Sequence, residues 1–310
     1  MVRSRTRGAA AAIMVLAGVA VMAQTDVSPK PLQVRANGTD LSYVSQGPGD
    51  PVVFVHGAVA DLRFWEPQRA AFAKQYRFIS YTYRYHGTGP WADDGKQYSA
   101  ETHAADLAAL IKALSLGPVH LVGLSYGGTV ATIVATKEPQ LVRTLTLAEP
   151  GIFAVLGESP ESKVALDEWT KGLVPVMTAL KAGDSTGATK QLSALVTGTL
   201  VEDFDKFPAG LRQGLLDNAR TLPLLFAATA PPITCETLRG IKHPTLVVRG
   251  ERTPRFFTAI TAEVSRCIAG SKPVTISKAS HAMSYDNPVE FNRVVMAFIA
   301  QHAGARMPKP

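Results

Sequence analysis

Val119-His120-Leu121-Val122-Gly123-Leu124-Ser125-Tyr126-Gly127-Gly128-Thr129 runs from a mainly apolar stretch into a serine set between glycines, and small and apolar residues then continue to Thr136. The first part reads as a strand buried on both faces, and the last as a helix. Glycines at 123 and 127 permit a sharp, strained turn between the two, which would present the Ser125 hydroxyl at the edge of a sheet. A five-residue pattern also recurs by chance, as a glycine-rich turn with a surface serine. Its weight here comes from the strand and helix that flank it. The helix beginning after Ser125 would direct its positive end at the hydroxyl, favouring a negative charge developing there.

Outward from this stretch, strand and helix signals alternate. Upstream, Leu32 to Gln46 alternates around Asn37-Gly38, a turn pair that accepts positive φ, and reads as a hairpin. Pro51 to Val55 is a continuous apolar run ending at His56-Gly57; a helix around Pro67 to Lys74 leads to a strand from Arg77 to Tyr83. Ser99 opens an amphipathic helix to Leu114, stopped by Gly117-Pro118. Downstream come a strand from Leu141 to Ala148, strands at Pro244 to Arg249 and Val274 to Ser277 around a helix from Thr258 to Cys267, and a last helix from Pro288 to Gln301. The alternation implies a mostly parallel sheet with helices on both faces. Between Pro150 and Ile241 the pattern changes to short helical stretches punctuated by Pro160, Pro175, Pro208, Pro223 and Pro231-Pro232. The expected organisation is a leader at 1–23, core at 24–150, a helical cap at 151–240 and core again at 241–310.

Hydrolysis through a serine needs a base to take its proton, an acid to orient the base and donors for the oxyanion. In enzymes that carry their serine on such a strand-to-helix turn, a nucleophile elbow, the order is serine, acid, histidine, which selects His281, in the loop after the last strand. His103 and His120 fall inside regular elements, His243 precedes a strand and His302 is near the terminus. The backbone N–H groups of Tyr126, after the serine, and Ala58, in the loop after the first central strand, are the expected oxyanion donors. His56 is expected to shape that loop by bonding backbone groups.

In this order of features the chain resembles the α/β-hydrolase superfamily: His56-Gly57, the elbow, the insertion, the strand end Gly250-Glu251 and Ser280-His281 all stand in sequence. The resemblance spans nearly the whole chain after the leader and implies an α/β-hydrolase fold. It departs from the common pattern at one point. Family members usually carry an aspartate three residues after the glycine that Gly250 matches, and this chain has Thr253, which cannot hold a negative charge. Glu149 and Glu251 are the candidate substitutes. Some relatives, including haloalkane dehalogenases and fungal zearalenone lactonases, are similar in carrying a glutamate after the strand that follows the elbow. Glu149 is preferred, because a strand end aims its last side chain at the site more reliably than a loop neighbour.

Arg3, Arg5 and Arg7 followed by an uncharged apolar run from Ala9 to Met22 form a signal-peptide pattern, with Val21 and Ala23 at the small-residue cleavage positions. The run is shorter than the ~20 residues a spanning helix needs, so an exported, periplasmic or secreted protein without stable membrane insertion is expected. The formal charge of +7 includes those three arginines, and the other basic residues are interspersed with acidic ones, unlike a nucleic-acid footprint. The two cysteines, Cys235 and Cys267, would be free to pair in an oxidising compartment; two buried thiols are the other reading. No metal-ligand cluster, dinucleotide fingerprint or phosphate loop appears, so no cofactor or metal is expected.

The expected activity is cleavage of a hydrophobic carboxylic ester or lactone through an acyl-enzyme. A cofactor-free perhydrolase or haloperoxidase, or a carbon–carbon hydrolase, could use the same three residues. Some plant hormone receptors also resemble this fold and use it to bind ligand. The pocket is expected between the sheet's carboxyl edge and the cap, with Phe64, Trp65 and Trp91 as candidate substrate contacts.

Overall fold

The computed structural model describes residues 29–303 apart from Glu158 and Lys272; the leader expected at 1–23 lies outside the described residues. Strands β1 (Leu32–Ala36) and β2 (Thr39–Gln46) form the expected hairpin, with Asn37 and Gly38 both at positive φ. There follow β3 (Pro51–Val55), α1 (Glu66–Phe72), β4 (Arg77–Tyr81), α2 (Ala100–Ala113), β5 (Val119–Leu124), α3 (Tyr126–Lys137) and β6 (Val142–Ala148). Four helices come next, α4 (Pro160–Lys181), α5 (Ser185–Thr197), α6 (Ala209–Asp217) and α7 (Leu222–Ala227). The chain returns through α8 (Cys235–Arg239), β7 (Thr245–Gly250), α9 (Arg255–Cys267), β8 (Pro273–Ile276), α10 (Met283–Asp286) and α11 (Pro288–Gln301).

The strands make one eight-stranded sheet in the order β1-β2-β4-β3-β5-β6-β7-β8. β2 runs antiparallel to both neighbours, and every pair from β4 to β8 is parallel. The order in which the chain adds parallel strands reverses between β3 and β5, where Val55 lies opposite Gly123. Loops leaving such neighbouring strands part to opposite faces and open a crevice at their carboxyl ends. Gly57 and Ser125 stand at that crevice.

The period of two along a strand divides the core. Val53 and Val55 pack in a cluster with residues of α2, α3 and α9, while Val52 and Phe54 face the other way, against α1 and α11. Phe54 is fully buried, with the rings of Trp65, Phe72 and Phe78 at 5.1, 4.9 and 4.8 Å. Burying a side chain of this size contributes roughly 1.5–3 kcal/mol.

The insertion differs from the sequence expectation in one element. Pro175 does not end a helix: it lies inside α4, which is 22 residues long. Proline removes one helical hydrogen bond, and here the residue is exposed and the next turn is anchored by the buried Val176, so the interruption falls on the solvent side. Pro160 instead occupies the start of α4, where its missing N–H costs nothing. Val176, Ala188, Leu192 and Leu222 form a small core of the insertion, which packs on Val59 of the loop after β3. Cys235 and Cys267 are joined by a disulfide linking the start of α8 to the end of α9.

Candidate functional site

Ser125 follows the last residue of β5 and has φ 55° and ψ −122°, a conformation that a residue with a β-carbon seldom adopts. The neighbouring glycines show why the turn is tolerated. A β-carbon on Gly127 would run into the carbonyl oxygens of Val55 and His56, and one on Gly123 into the backbone of Gly127 and Gly128. Backbone bonds fix the strained residue: the Ser125 N–H donates to Ala148 O (3.0 Å), and its carbonyl accepts from the N–H groups of Gly128, Thr129 and Gly151. The last of these ties the elbow to the turn that follows Glu149.

Glu149 leaves the end of β6 with φ 40°, a second strained residue on the same edge of the sheet. Its side chain is fully buried and accepts two hydrogen bonds, from His281 Nδ1 at 2.6 Å and from the Gly250 N–H at 2.7 Å. The carboxylate therefore bridges the end of β7 and the loop after β8. His281 is held from two further directions. Its ring stacks on Phe257 of α9, centroids 4.0 Å apart and planes 5° apart. Beside it in the loop, Ser280 donates through N–H and hydroxyl to Asp286 (2.7 and 2.6 Å). Since Glu149 accepts from Nδ1, Nε2 is the ring nitrogen left to act as a base.

The second glutamate considered from the sequence stands apart. Glu251 is exposed, and its carboxylate accepts from the N–H of Lys278, a residue at φ 55°, at 2.7 Å. It braces a turn and makes no bond to His281. Thr253, at the usual aspartate position, has a buried hydroxyl without a hydrogen-bond partner.

His56 is a structural residue of the loop after β3. Its Nδ1 lies 2.8 Å from Gly57 O and its Nε2 accepts from the Tyr83 N–H at 3.3 Å, which fixes a neutral tautomer protonated on Nδ1. Complete burial lowers its pKa to about 4, against a smaller raising effect from the bond to Gly57. The same loop is secured to the insertion. Buried Asp61 accepts from Arg63 (2.6 Å) and from Asn218 Nδ2 (2.7 Å), Arg63 also reaches Asp217 (2.7 Å), and Asn218 Oδ1 accepts from the Gly87 N–H (2.6 Å). Burial raises the Asp61 pKa, but the hydrogen bonds and charge of Arg63 and the amide of Asn218 outweigh it and leave it below its usual value. Ala58 lies in the loop so fastened, and Tyr126 is the first residue of α3, whose N–H has no intrahelical acceptor.

Two cavities open at Ser125. His281 and Phe64 line one, Tyr126 lines the other, and Ala58 lines both. The structure thus brings together Ser125, His281, Ala58, Tyr126 and Phe64, with Glu149 behind His281. It does not bring Trp65 or Trp91 to them. Trp65 is fully buried between Phe54 and Phe291, its flat apolar ring filling core under α11. Trp91 lines a separate groove, where its indole N–H donates to Tyr85 O and the Arg220 guanidinium lies 4.7 Å above its ring. Sequence reasoning passes over Phe257 and Asp286, which orient His281 and its loop. Phe257 is one of several apolar residues on α9, and nothing in its spacing distinguishes it.

Among the described residues no group of histidines, cysteines and carboxylates could hold a metal ion, and no helix is long and apolar enough to cross a membrane. Comparison with known proteins agrees with the geometry. The chain is 22% identical over 275 residues to (E)-2-((N-methylformamido)methylene)succinate hydrolase of Acinetobacter baylyi, covering 87% of this chain and 97% of the relative. It is 29% identical over 280 residues to the non-heme chloroperoxidase of Streptomyces lividans, covering 85% and 97%. Its fold matches a thermophilic esterase from Thermogutta terrifontis with a TM-score of 0.68 at 23% identity, over 88% of this chain and 100% of that one. The sequence model of the alpha/beta hydrolase family matches residues 52–294, and the chain belongs to that family.

Proposed function

We propose that the protein is a serine hydrolase that cleaves a carboxylic ester or lactone of a hydrophobic substrate through an acyl-enzyme. The observation that carries this reading is the buried hydrogen bond between His281 Nδ1 and Glu149, made where His281 lines a cavity with Ser125. In this mechanism His281 Nε2 takes the Ser125 proton as Oγ attacks the carbonyl carbon. Glu149 stabilises the imidazolium, and the N–H groups of Ala58 and Tyr126 receive the oxyanion at the positive end of α3. The proton then passes to the leaving oxygen, and water repeats the sequence on the acyl-enzyme. The mainly apolar walls of both cavities support a hydrophobic substrate.

A panel of nitrophenyl esters and lactones tests the proposal, with Ser125→Ala as control. Turnover in the panel that falls at least about a thousandfold in Ser125→Ala is expected; turnover unchanged by that substitution would sink it. A second reading, peroxide-dependent chemistry at the same serine, is favoured by the likeness to a non-heme chloroperoxidase. It would prevail if peroxide-dependent halogenation in a carboxylate buffer outran every ester. Export to an oxidising compartment is part of the proposal, supported by the leader-like residues and by the Cys235–Cys267 bridge.

A further inference from the structure

The two cavities at Ser125 differ in size and in which residues of the site line them. One encloses about 230 Å³ among Phe153, Trp169, Leu225, Phe226 and Phe257. The other encloses about 90 Å³ among Phe64, Phe207, Leu211 and Leu215. Ala58, Ser125, Leu192 and Val196 line both. Leu192 and Val196 are four positions apart on α5, so they share a face of that helix, and both border both cavities. His281 lines only the smaller cavity, and Tyr126 only the larger.

This asymmetry orients a substrate, given the serine-hydrolase reading on which the inference rests. In the acylation step the bond from Ser125 Oγ to the carbonyl carbon forms while the bond from that carbon to the leaving oxygen breaks. The proton removed from Ser125 by His281 goes to the departing oxygen, which must lie within reach of the imidazole. The leaving alcohol therefore belongs in the smaller cavity. The carbonyl sits at the junction, near the N–H groups of Ala58 and Tyr126, and the acyl group extends into the larger space. We infer that the protein selects esters that join a bulky apolar acyl group to a small alcohol, and that Leu192 and Val196 separate the two halves of the substrate.

Methyl octanoate and heptyl acetate test this directly, because they are isomers with the bulk on opposite sides of the ester. The expected result is a kcat/KM at least about tenfold higher for methyl octanoate. Leu225→Trp, which fills the larger cavity, should lower the ratio of the two kcat/KM values, and Leu215→Trp, which fills the smaller one, should raise it. A general folding defect would scale both substrates together and cannot produce opposite shifts. Equal rates, or a preference for heptyl acetate, with turnover still dependent on Ser125, would overturn the assignment of the cavities and leave the hydrolase reading standing. Absence of Ser125-dependent turnover of any ester would overturn both.

Discussion

The second hydrogen bond accepted by Glu149 decides what a neutral substitute can do. Gly250 N–H and His281 Nδ1 each need an acceptor, and the carboxylate offers one oxygen to each. A glutamine has one oxygen and one NH2 group. With its oxygen on Gly250, its NH2 would face Nδ1 and hold the imidazole in the tautomer whose Nε2 carries the proton, which cannot act as a base. Glu149→Gln is therefore expected to lower kcat by about a thousand- to ten-thousandfold with little change in KM. Glu251→Gln keeps an oxygen for the Lys278 N–H and should stay within about threefold of the parent. Steady-state kinetics of the two variants decides, and the reverse pattern would make Glu251 the acid. The positions of Ser125 and Glu149 at strand ends, and of His281 in the loop after the last strand, are legible in the sequence because strand, turn and helix signals bracket them. What separates Glu149 from Glu251 is a bond to a residue far along the chain, and residue spacing carries no record of it. Trp65 and Trp91 show the same limit: both have the composition of a pocket wall, and only packing tells that one fills the core and the other a different groove.

Helix α9 is the element on which the orientation of His281 rests, since it supplies Phe257 as the surface behind the imidazole. Its far end is tied through Cys267 to Cys235 of α8, closing a loop with a sequence separation of 32. Chain-entropy arguments give a bridge over such a loop about 3–4 kcal/mol of stabilisation. Replacing both cysteines with serine should lower Tm by about 5–10 °C, and reductant should lower the parent's Tm equally while leaving the variant unchanged. A Tm indifferent to both treatments would show that packing of α9 through Phe256, Ile260 and Val264 fixes it without the bridge. The existence and order of the elements are legible from periodicity, and α11 occupies the very span that its pattern predicts. The insertion is less so. Proline opens α4 at Pro160, where no hydrogen bond is lost, and lies inside the same helix at an exposed position at Pro175, and residue type alone does not distinguish the two.

Across the whole molecule, the acid limit of stability is set by histidines that the fold buries uncharged. His56, His103 and His120 are fully buried and His86 nearly so, and desolvation depresses the pKa of each: to about 4 for His56 and His120, to about 3 for His86, and well below 6.5 for His103. Above pH 6.5 these imidazoles are neutral in both folded and unfolded chains and do not affect the balance. Below it the unfolded chain takes up protons that the folded one refuses, so stability falls with pH until each folded-state value is reached. Each imidazole contributes a slope of up to about 1.4 kcal/mol per pH unit in that window. Asp61, held below its usual 3.8, adds to the loss only further down. Urea unfolding at about pH 7, 6 and 5 should therefore show a progressive loss of free energy, steeper between the last two. His120 separates this cause from any effect on the reaction, because it lies at the start of β5, bonded to Thr144, at the opposite end of the strand from Ser125. His120→Gln should flatten the slope by about one proton's worth while leaving the pH profile of turnover in place. A slope unchanged in that variant would mean that His120 is protonated in the folded chain, with Asp50, 4.0 Å from its Nε2, as the counter-charge.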